Sequence, residues 1–100
     1  MSTKQIKYSP SLFENQNDEV CYVCGSGIYV TRHECFYGRA YRNKSKKYGC
    51  WVNLCMACHD KVHFGKDHSF DVKLKQDAQR LFEKKYSHEL FINEFDKNWL

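Results

Sequence analysis

Two pairs of cysteines in this 100-residue chain have the spacing of a metal site. Two residues separate the members of each pair, Cys21 with Cys24 and Cys55 with Cys58. Gly25 follows the first pair and permits the tight turn that brings two thiolates to one ion. Zinc binds four ligands in tetrahedral geometry, and two such pairs fill all four positions with sulfur. The sequence therefore predicts one structural Zn²⁺ held by four cysteines.

Six cysteines in a short chain are also typical of disulfide-rich secreted domains. The N-terminal residues are polar, however, and lack the apolar run of a signal peptide. No stretch is long and apolar enough to span a membrane. We therefore predict a cytoplasmic protein whose thiols stay reduced and bind metal. Cys35 and Cys50 are expected to be small, buried, hydrophobic side chains.

Three histidines form a second candidate site. His59 and His63 are four residues apart, so both lie on one face of the helix that the second cysteine pair begins. His33 precedes Glu34 on a predicted strand. Imidazole binds several divalent metals, so these histidines predict a second divalent ion, Mg²⁺, Mn²⁺ or Zn²⁺. The remaining histidines are expected to be exposed to solvent: His68 and His88.

A strand pair and a helix must position these histidines. Residues 28–36 are rich in β-branched and aromatic side chains and predict a strand, and residues 50–54 predict a second one. Segment 37–49 predicts a long loop with some helical character. A short helix is predicted from Cys55 onward.

The last third of the chain is predicted to be helical. Leu74, Ala78, Leu81 and Phe82 recur at the spacing of one helix face, which indicates core residues. Ser87 can cap a final helix. The apolar side chains of that helix are expected to face inward: Leu90, Phe91 and Phe95.

The N-terminal residues differ in composition from the rest. Residues 1–19 are polar and contain the only proline, which predicts a flexible N-terminal arm. Residues 20–100 are expected to form the folded domain. A chain this short buries a modest core and often needs a metal to hold it. We predict a small α+β domain with a ββα-metal core, a four-cysteine zinc knuckle pair and C-terminal helices.

The net charge of +4 is distributed unevenly. Residues 71–97 carry six basic and six acidic residues, so their charges cancel. Six basic residues are concentrated between positions 32 and 47: Arg32, Arg39, Arg42, Lys44, Lys46 and Lys47. A local cationic segment suits a polyanion and predicts contacts with DNA phosphates, although a solvated loop gives the same pattern.

Together these motifs resemble the HNH endonucleases, also called ββα-metal or His-Me finger nucleases. The resemblance rests on the two cysteine pairs, the run from Arg32 to Gly38 and the histidine pair on the helix. The motif Arg42-x2-Ser45 and the tail 71–80 are similar to phage-type members related to the recombination-enhancement, recombinase-dependent nucleases. The resemblance implies a β-hairpin and helix that grip one metal. It further implies hydrolysis of DNA phosphodiester bonds in recombination or DNA processing, a phage or bacterial origin, and a recombinase filament as a partner.

The resemblance leaves the catalytic roles open. Either His33 is the general base, or His33 binds the metal and Glu34 is the base. An imidazole with a pKa of about 6.5 is the better base at neutral pH, which favours His33, whereas the family pattern favours Glu34. Asn53 or Asn43 would be the middle asparagine, because Tyr41 stands where related sequences have asparagine. The usual role of that asparagine is structural support through side-chain to backbone hydrogen bonds.

The alternative function is a non-catalytic zinc module that binds DNA or a protein partner. The four cysteines and the basic segment require no chemistry, but a purely structural zinc site would not need the three histidines. Metal stoichiometry separates the two hypotheses. One tightly bound zinc indicates the binding module, and a second, exchangeable divalent ion indicates the nuclease.

Overall fold

An antiparallel hairpin and the helix that follows it form the centre of the molecule. The computed structural model describes residues 8–64 and 68–100. The central elements, in chain order, are a strand, a helix, a second strand and a second helix: β1 (Val30–Glu34), α1 (Arg42–Tyr48), β2 (Trp51–Cys55) and α2 (Met56–Phe64). The two strands pair with His33 opposite Val52. This order confirms the predicted α+β class, with strands slightly shorter than or shifted from the predicted ranges.

Two further helices, α3 (Ser69–Lys85) and α4 (His88–Phe95), complete the fold. The predicted core stripe of α3 is confirmed, since Leu74, Ala78 and Phe82 are buried and Leu81 packs against the core while partly buried. The Ser87 hydroxyl accepts a hydrogen bond from the Leu90 N–H at 3.1 Å, which confirms the predicted cap of α4. Among the described residues, no helix is long and apolar enough to cross a membrane.

The basic segment between the strands is more regular than the predicted loop, because α1 occupies seven of its residues. The buried Ser45 hydroxyl donates to the Phe36 carbonyl at 2.8 Å and ties α1 to the end of β1. Gly49 ends α1 with a φ of 76°, in the left-handed region that favours glycine. A Cβ atom at Gly49 would collide with the Pro10 carbonyl oxygen. The return into β2 therefore requires glycine for two independent reasons.

Residues 8–19 pack against the hairpin, although a flexible arm was predicted for residues 1–19. Phe13 joins the hydrophobic core and is 4% exposed, and Gln16 is 3% exposed. The arm prediction therefore does not describe residues 8–19. Residues 1–7 lie outside the described part of the chain.

The reason for this packing is that the N-terminal segment covers the free edge of β2. The Trp51 indole N–H donates to the Ser9 carbonyl at 2.7 Å. The Asn53 backbone N–H donates to the Gln16 side-chain oxygen at 2.7 Å, and the Asn53 amide donates to the Gln16 carbonyl. An uncovered edge would expose unpaired backbone groups. The polar groups that suggested a flexible arm instead form hydrogen bonds with this edge.

Candidate metal centres

The sulfur atoms of Cys21, Cys24, Cys55 and Cys58 lie within 4.8 Å of one another. None of these cysteines is in a disulfide. The Cys24 and Cys55 sulfurs are 3.7 Å apart. A tetrahedral zinc with Zn–S bonds of about 2.3 Å separates its sulfur ligands by about 3.8 Å. The cluster therefore has the size and composition of a single four-thiolate metal site.

The backbone after Cys21 forms the tight turn that Gly25 predicts. The Cys21 N–H donates to the Ser26 carbonyl at 2.8 Å, and the Gly25 N–H donates to the Cys21 carbonyl at 2.9 Å. Gly25 has a φ of 76°, which closes the turn. The second cysteine pair lies at the junction of β2 and α2, so this cluster joins the start of the hairpin to the start of the helix.

Main-chain donors favour a thiolate in this cluster. Burial raises the pKa of the Cys21 thiol, but the main-chain N–H groups of Cys24, Cys55 and Val23 outweigh burial and lower that pKa to about 6. Burial and the neighbouring thiols raise the pKa of Cys58 to about 12. One thiolate is thus stabilised before the others ionise, and a cation would favour ionisation of the rest.

Cys35 and Cys50 do not belong to this cluster, and the prediction that they are buried is confirmed. Both are 0% exposed. Burial raises the pKa of Cys50 to about 12 and raises that of Cys35 as well. Both thiols therefore remain protonated at neutral pH and act as packing groups.

His33, His59 and His63 form a second cluster, in which the three candidate ligand nitrogens lie within 4.8 Å of one another. The Nε2 atoms of His59 and His63 are 3.1 Å apart. Two nitrogens bound to one tetrahedral zinc at about 2.1 Å are separated by about 3.4 Å. Helix α2 supplies one histidine per turn, and β1 supplies the third from the facing strand. The spacing of this cluster therefore suits one metal ion.

The buried His33 imidazole has the protonation state of a ligand. The side chain is 2% exposed, and its Nε2 atom has no hydrogen-bond partner within residues 8–64 and 68–100. Burial, together with charge repulsion from His59 and His63, lowers the pKa of His33 to about 3. A neutral imidazole is the form that binds metal. A buried nitrogen without a partner is the orphaned polar atom that a metal would satisfy.

One side of the histidine cluster is open to solvent. His33 is buried, His59 is half-buried and His63 is exposed. The Thr31 hydroxyl lies 3.3 Å from Nδ1 of His59, so a proton on Nδ1 leaves Nε2 facing the cluster. Three imidazoles with an open side leave a coordination position for water or substrate, as in catalytic sites.

Glu34 and Asn53 do not join the histidine cluster, because alternate residues of a strand point to opposite faces. The strand register puts Thr31 and His33 on one face and Arg32, Glu34 and Asn53 on the other. Glu34 accepts a hydrogen bond from the Tyr8 hydroxyl at 2.8 Å.

Asn53 is 2% exposed and holds the N-terminal segment through Gln16. It makes a side-chain to backbone hydrogen bond of the kind expected of the HNH asparagine, and its partner is the Gln16 carbonyl. Asn43, the other candidate, is exposed on α1. The two remaining histidines are exposed as predicted, and His88 Nδ1 lies 2.7 Å from a Glu83 carboxylate oxygen.

Some of the predicted DNA-binding cations have partners within the domain. Lys44 contacts Glu94 twice, through the carbonyl at 2.9 Å and the carboxylate at 3.3 Å. The Arg32 guanidinium lies over the Tyr8 and Trp51 rings, 4.5 and 4.6 Å from their centroids. These contacts give Lys44 and Arg32 structural roles in addition to their charge.

The other basic residues of the segment are less constrained. Arg39 and Arg42 are exposed and form no ion pair with any described residue. The ammonium of Lys46 lies 5.2 Å from the Tyr8 ring centroid, and that of Lys47 lies 5.2 Å from the Tyr48 centroid. Arg39 and Arg42 are therefore the cations most available to an external anion.

Sequence reasoning missed three residues beside the histidine cluster. The Tyr37 ring centroid is 5.1 Å from that of His63. The Tyr37 hydroxyl donates to Asp71 at 2.7 Å, and Lys75 donates to the other Asp71 oxygen at 2.6 Å. Burial and the Asp71 hydrogen bond raise the pKa of Tyr37 to about 12, so it remains a donor. The sequence signal that could have found two of them is the i,i+4 spacing of Asp71 and Lys75, which flank the core residue Leu74.

Comparison with known proteins gives no family assignment. No protein-family model matches the chain. No curated protein and no solved structure matches it either. The two-stranded hairpin with the helix that follows β2, the four-cysteine cluster and the histidine cluster are consistent with the HNH resemblance.

Proposed function

We propose that the protein is a metal-dependent DNA endonuclease of the HNH type, which hydrolyses phosphodiester bonds. The observation that supports this proposal is the convergence of His33, His59 and His63 on one point with an open side. A structural zinc at the four cysteines would not require these imidazoles. Their location at the junction of a hairpin and a helix is the arrangement that the resemblance implies.

The two clusters would bind metals for different purposes. Four thiolates suit a structural Zn²⁺, because they leave no free coordination position. The three imidazoles suit a second divalent ion, which when bound would lower the pKa of a water molecule and offset charge on the phosphate. The neutral state of the buried His33 supports its assignment as a ligand.

With His33 as a ligand, Glu34 becomes the candidate general base. The resemblance alone supports this assignment, because the register of β1 directs the Glu34 side chain to the face opposite His33. The Tyr8 hydroxyl donates a hydrogen bond to one Glu34 carboxylate oxygen at 2.8 Å. Asn53 is then a structural residue that fastens the N-terminal segment to β2.

The substrate backbone would be bound by the exposed cations near the end of β1. Arg39 and Arg42 are exposed and without ion pairs in the described chain, and they follow the histidine strand in sequence. Phosphate contacts of this kind position DNA without reading its sequence. A recombinase filament on the DNA remains a proposed partner, supported by the resemblance alone.

Plasmid cleavage across a panel of divalent ions tests the proposal. The assay compares the unmutated protein with His33→Ala and Glu34→Gln, on bare DNA and on DNA coated with a recombinase filament. Loss of a general base lowers the rate by about a hundred- to ten-thousandfold, so Glu34→Gln should show that loss at unchanged metal affinity. His33→Ala should weaken metal binding, and added metal should partly restore its rate. His68→Ala is the matched control, because His68 is exposed and outside the cluster.

Three results would count against this proposal or its assignments. If Glu34→Gln cuts normally and His33→Ala keeps full metal affinity but loses activity, His33 is the base. If both variants cut at the unmutated rate, the histidine cluster is not catalytic. If the pure protein cuts nothing with any ion and binds one zinc, the non-catalytic zinc module replaces the nuclease.

A further inference from the structure

A cavity of about 340 Å³ shares one wall residue, Tyr37, with the surroundings of the histidine cluster. Its walls include five aromatic side chains: Phe36, Tyr37, Tyr41, Phe95 and Trp99. Tyr37 also packs against His63, with ring centroids 5.1 Å apart, so it contacts both the cavity and the histidine cluster. A group bound in the cavity would therefore lie one side chain away from the candidate metal site.

The charges that line the cavity cancel. Two carboxylates and two ammonium groups contribute to its walls: Asp71, Asp96, Lys75 and Lys97. A phosphate site would carry an excess of positive charge. A balanced set of donors and acceptors between aromatic walls suits a flat, neutral heterocycle with polar edges.

The inner wall of the cavity is held rigidly. The side chains of Lys75 and Asp71 are 7% and 11% exposed and pair at 2.6 Å. The Lys75 ammonium lies over the Tyr37 ring, 4.1 Å from its centroid. Two hydrogen bonds fix the backbone of Trp99 to α3. Its N–H donates to the Gln79 side-chain oxygen at 2.8 Å, and its carbonyl accepts from the Gln76 side-chain amide at 3.0 Å. A preformed wall reduces the cost of ordering side chains when a ligand binds.

We propose that this cavity binds one unpaired nucleobase of single-stranded DNA, next to the phosphate that the histidine cluster would engage. The proposal rests on the proposed nuclease function and specifies its substrate as DNA with an unpaired nucleotide at the cut site. Aromatic walls accept any base, because every base has a π-face. A base in a duplex is stacked and paired, so it enters such a cavity only after being flipped out.

Binding of labelled oligonucleotides tests this proposal. Fluorescence anisotropy would measure Kd for oligothymidylate, for an abasic strand of equal length and for a blunt duplex, without added divalent ion so that no cleavage occurs. Tyr41→Ala removes a half-buried cavity wall. We expect it to weaken oligothymidylate binding by about five- to hundredfold, the range of one lost stacking contact, and to leave abasic binding unchanged.

A matched substitution controls for general effects. Tyr29→Ala also removes a tyrosine, but Tyr29 is 75% exposed and does not line the cavity. It should leave all three Kd values unchanged. If Tyr41→Ala folds poorly, Tyr41→Leu keeps apolar bulk while removing the ring, and it should show the same selective loss.

The outcomes separate this proposal from the nuclease function. Equal binding of the thymidylate and abasic strands by the unmutated protein, or equal loss of both in Tyr41→Ala, would overturn the base-binding cavity. Plasmid cleavage could still occur in that case, and the nuclease proposal would stand. If the unmutated protein cuts nothing, and Tyr41→Ala loses only the base-dependent part of its affinity, the base-binding cavity is supported and the nuclease function is refuted.

Discussion

The two candidate metal centres share helix α2 but differ in what surrounds them. Cys58 and His59 are neighbours in that helix, yet one belongs to the sulfur cluster and the other to the histidine cluster. The sulfur cluster has four ligands, three of them buried, whereas the histidine cluster has three and reaches the surface at His63. A full set of ligands holds chain segments together, and an incomplete set leaves room for substrate.

The two centres also reach their metal-binding states by different physical means. Main-chain N–H groups lower the pKa of Cys21 to about 6 and so stabilise an anion. Burial lowers the pKa of His33 to about 3 and so removes a cation. Hydrogen bonds stabilise the charged thiolate in the sulfur cluster, whereas desolvation destabilises the charged imidazolium in the histidine cluster. Both effects oppose protonation, which competes with metal.

Loss of the sulfur site should have the largest effect. We expect Cys55→Ser, or removal of zinc by a chelator, to abolish the cooperative thermal transition seen by circular dichroism. The cluster joins the knuckle, β2 and α2, and structural zinc contributes on the order of 10 kcal/mol to the folding of small domains. Free reaction of all four thiols with a thiol reagent in the metal-replete native protein would refute this site.

Loss of a histidine ligand should leave the fold intact. We expect His63→Ala to lose the exchangeable divalent ion, to retain one zinc, and to unfold within a few degrees of the unmutated protein, because the sulfur site does not use imidazole. Elemental analysis and thermal melting measure these quantities. His88→Ala serves as the control, since His88 is exposed and pairs with Glu83, away from the histidine cluster. Simultaneous loss of both metals in His63→Ala would mean that the two centres are one unit.

A smaller effect is expected from the hydroxyl that contacts the histidine cluster. Thr31→Val removes the group 3.3 Å from Nδ1 of His59 while keeping the side chain's shape. Loss of such an outer-shell partner typically weakens metal binding by about 10- to 100-fold. Calorimetric titration with the divalent ion would measure this change. Thr31→Ser retains the hydroxyl and should bind as the unmutated protein does; equal affinity in all three would show that the contact is incidental.

The smallest effect is expected from the basic segment. Neutralising Arg39 and Arg42 should reduce the slope of log Kd against log salt by about two, because each phosphate contact contributes about one unit. Lys44→Gln should change the slope little, since Lys44 is engaged by Glu94. Measuring DNA affinity at several salt concentrations tests both statements. An unchanged slope in the double variant would mean that the segment is a solvated surface.

Local sequence determined the ligand sets and most of the elements. Two cysteine pairs and an i,i+4 histidine pair are short-range patterns, and short-range geometry places such ligands on one turn or one helix face. The same holds for the α3 core stripe and the Ser87 cap, both confirmed. These features need no knowledge of distant residues.

Tertiary structure alone decided which polar groups surround the clusters. Neighbouring residues His33 and Glu34 were equal candidates in sequence, but the register of β1 against β2 sends them to opposite faces. Tyr37 meets Asp71 across 34 residues, and Gln16 meets Asn53 across 37. Hydrophobic periodicity does not predict such pairs. A polar side chain is expected to be exposed to solvent unless its buried hydrogen-bond partner is known. For the same reason, residues 8–19 looked like a free arm in sequence and cover the edge of β2 in the fold.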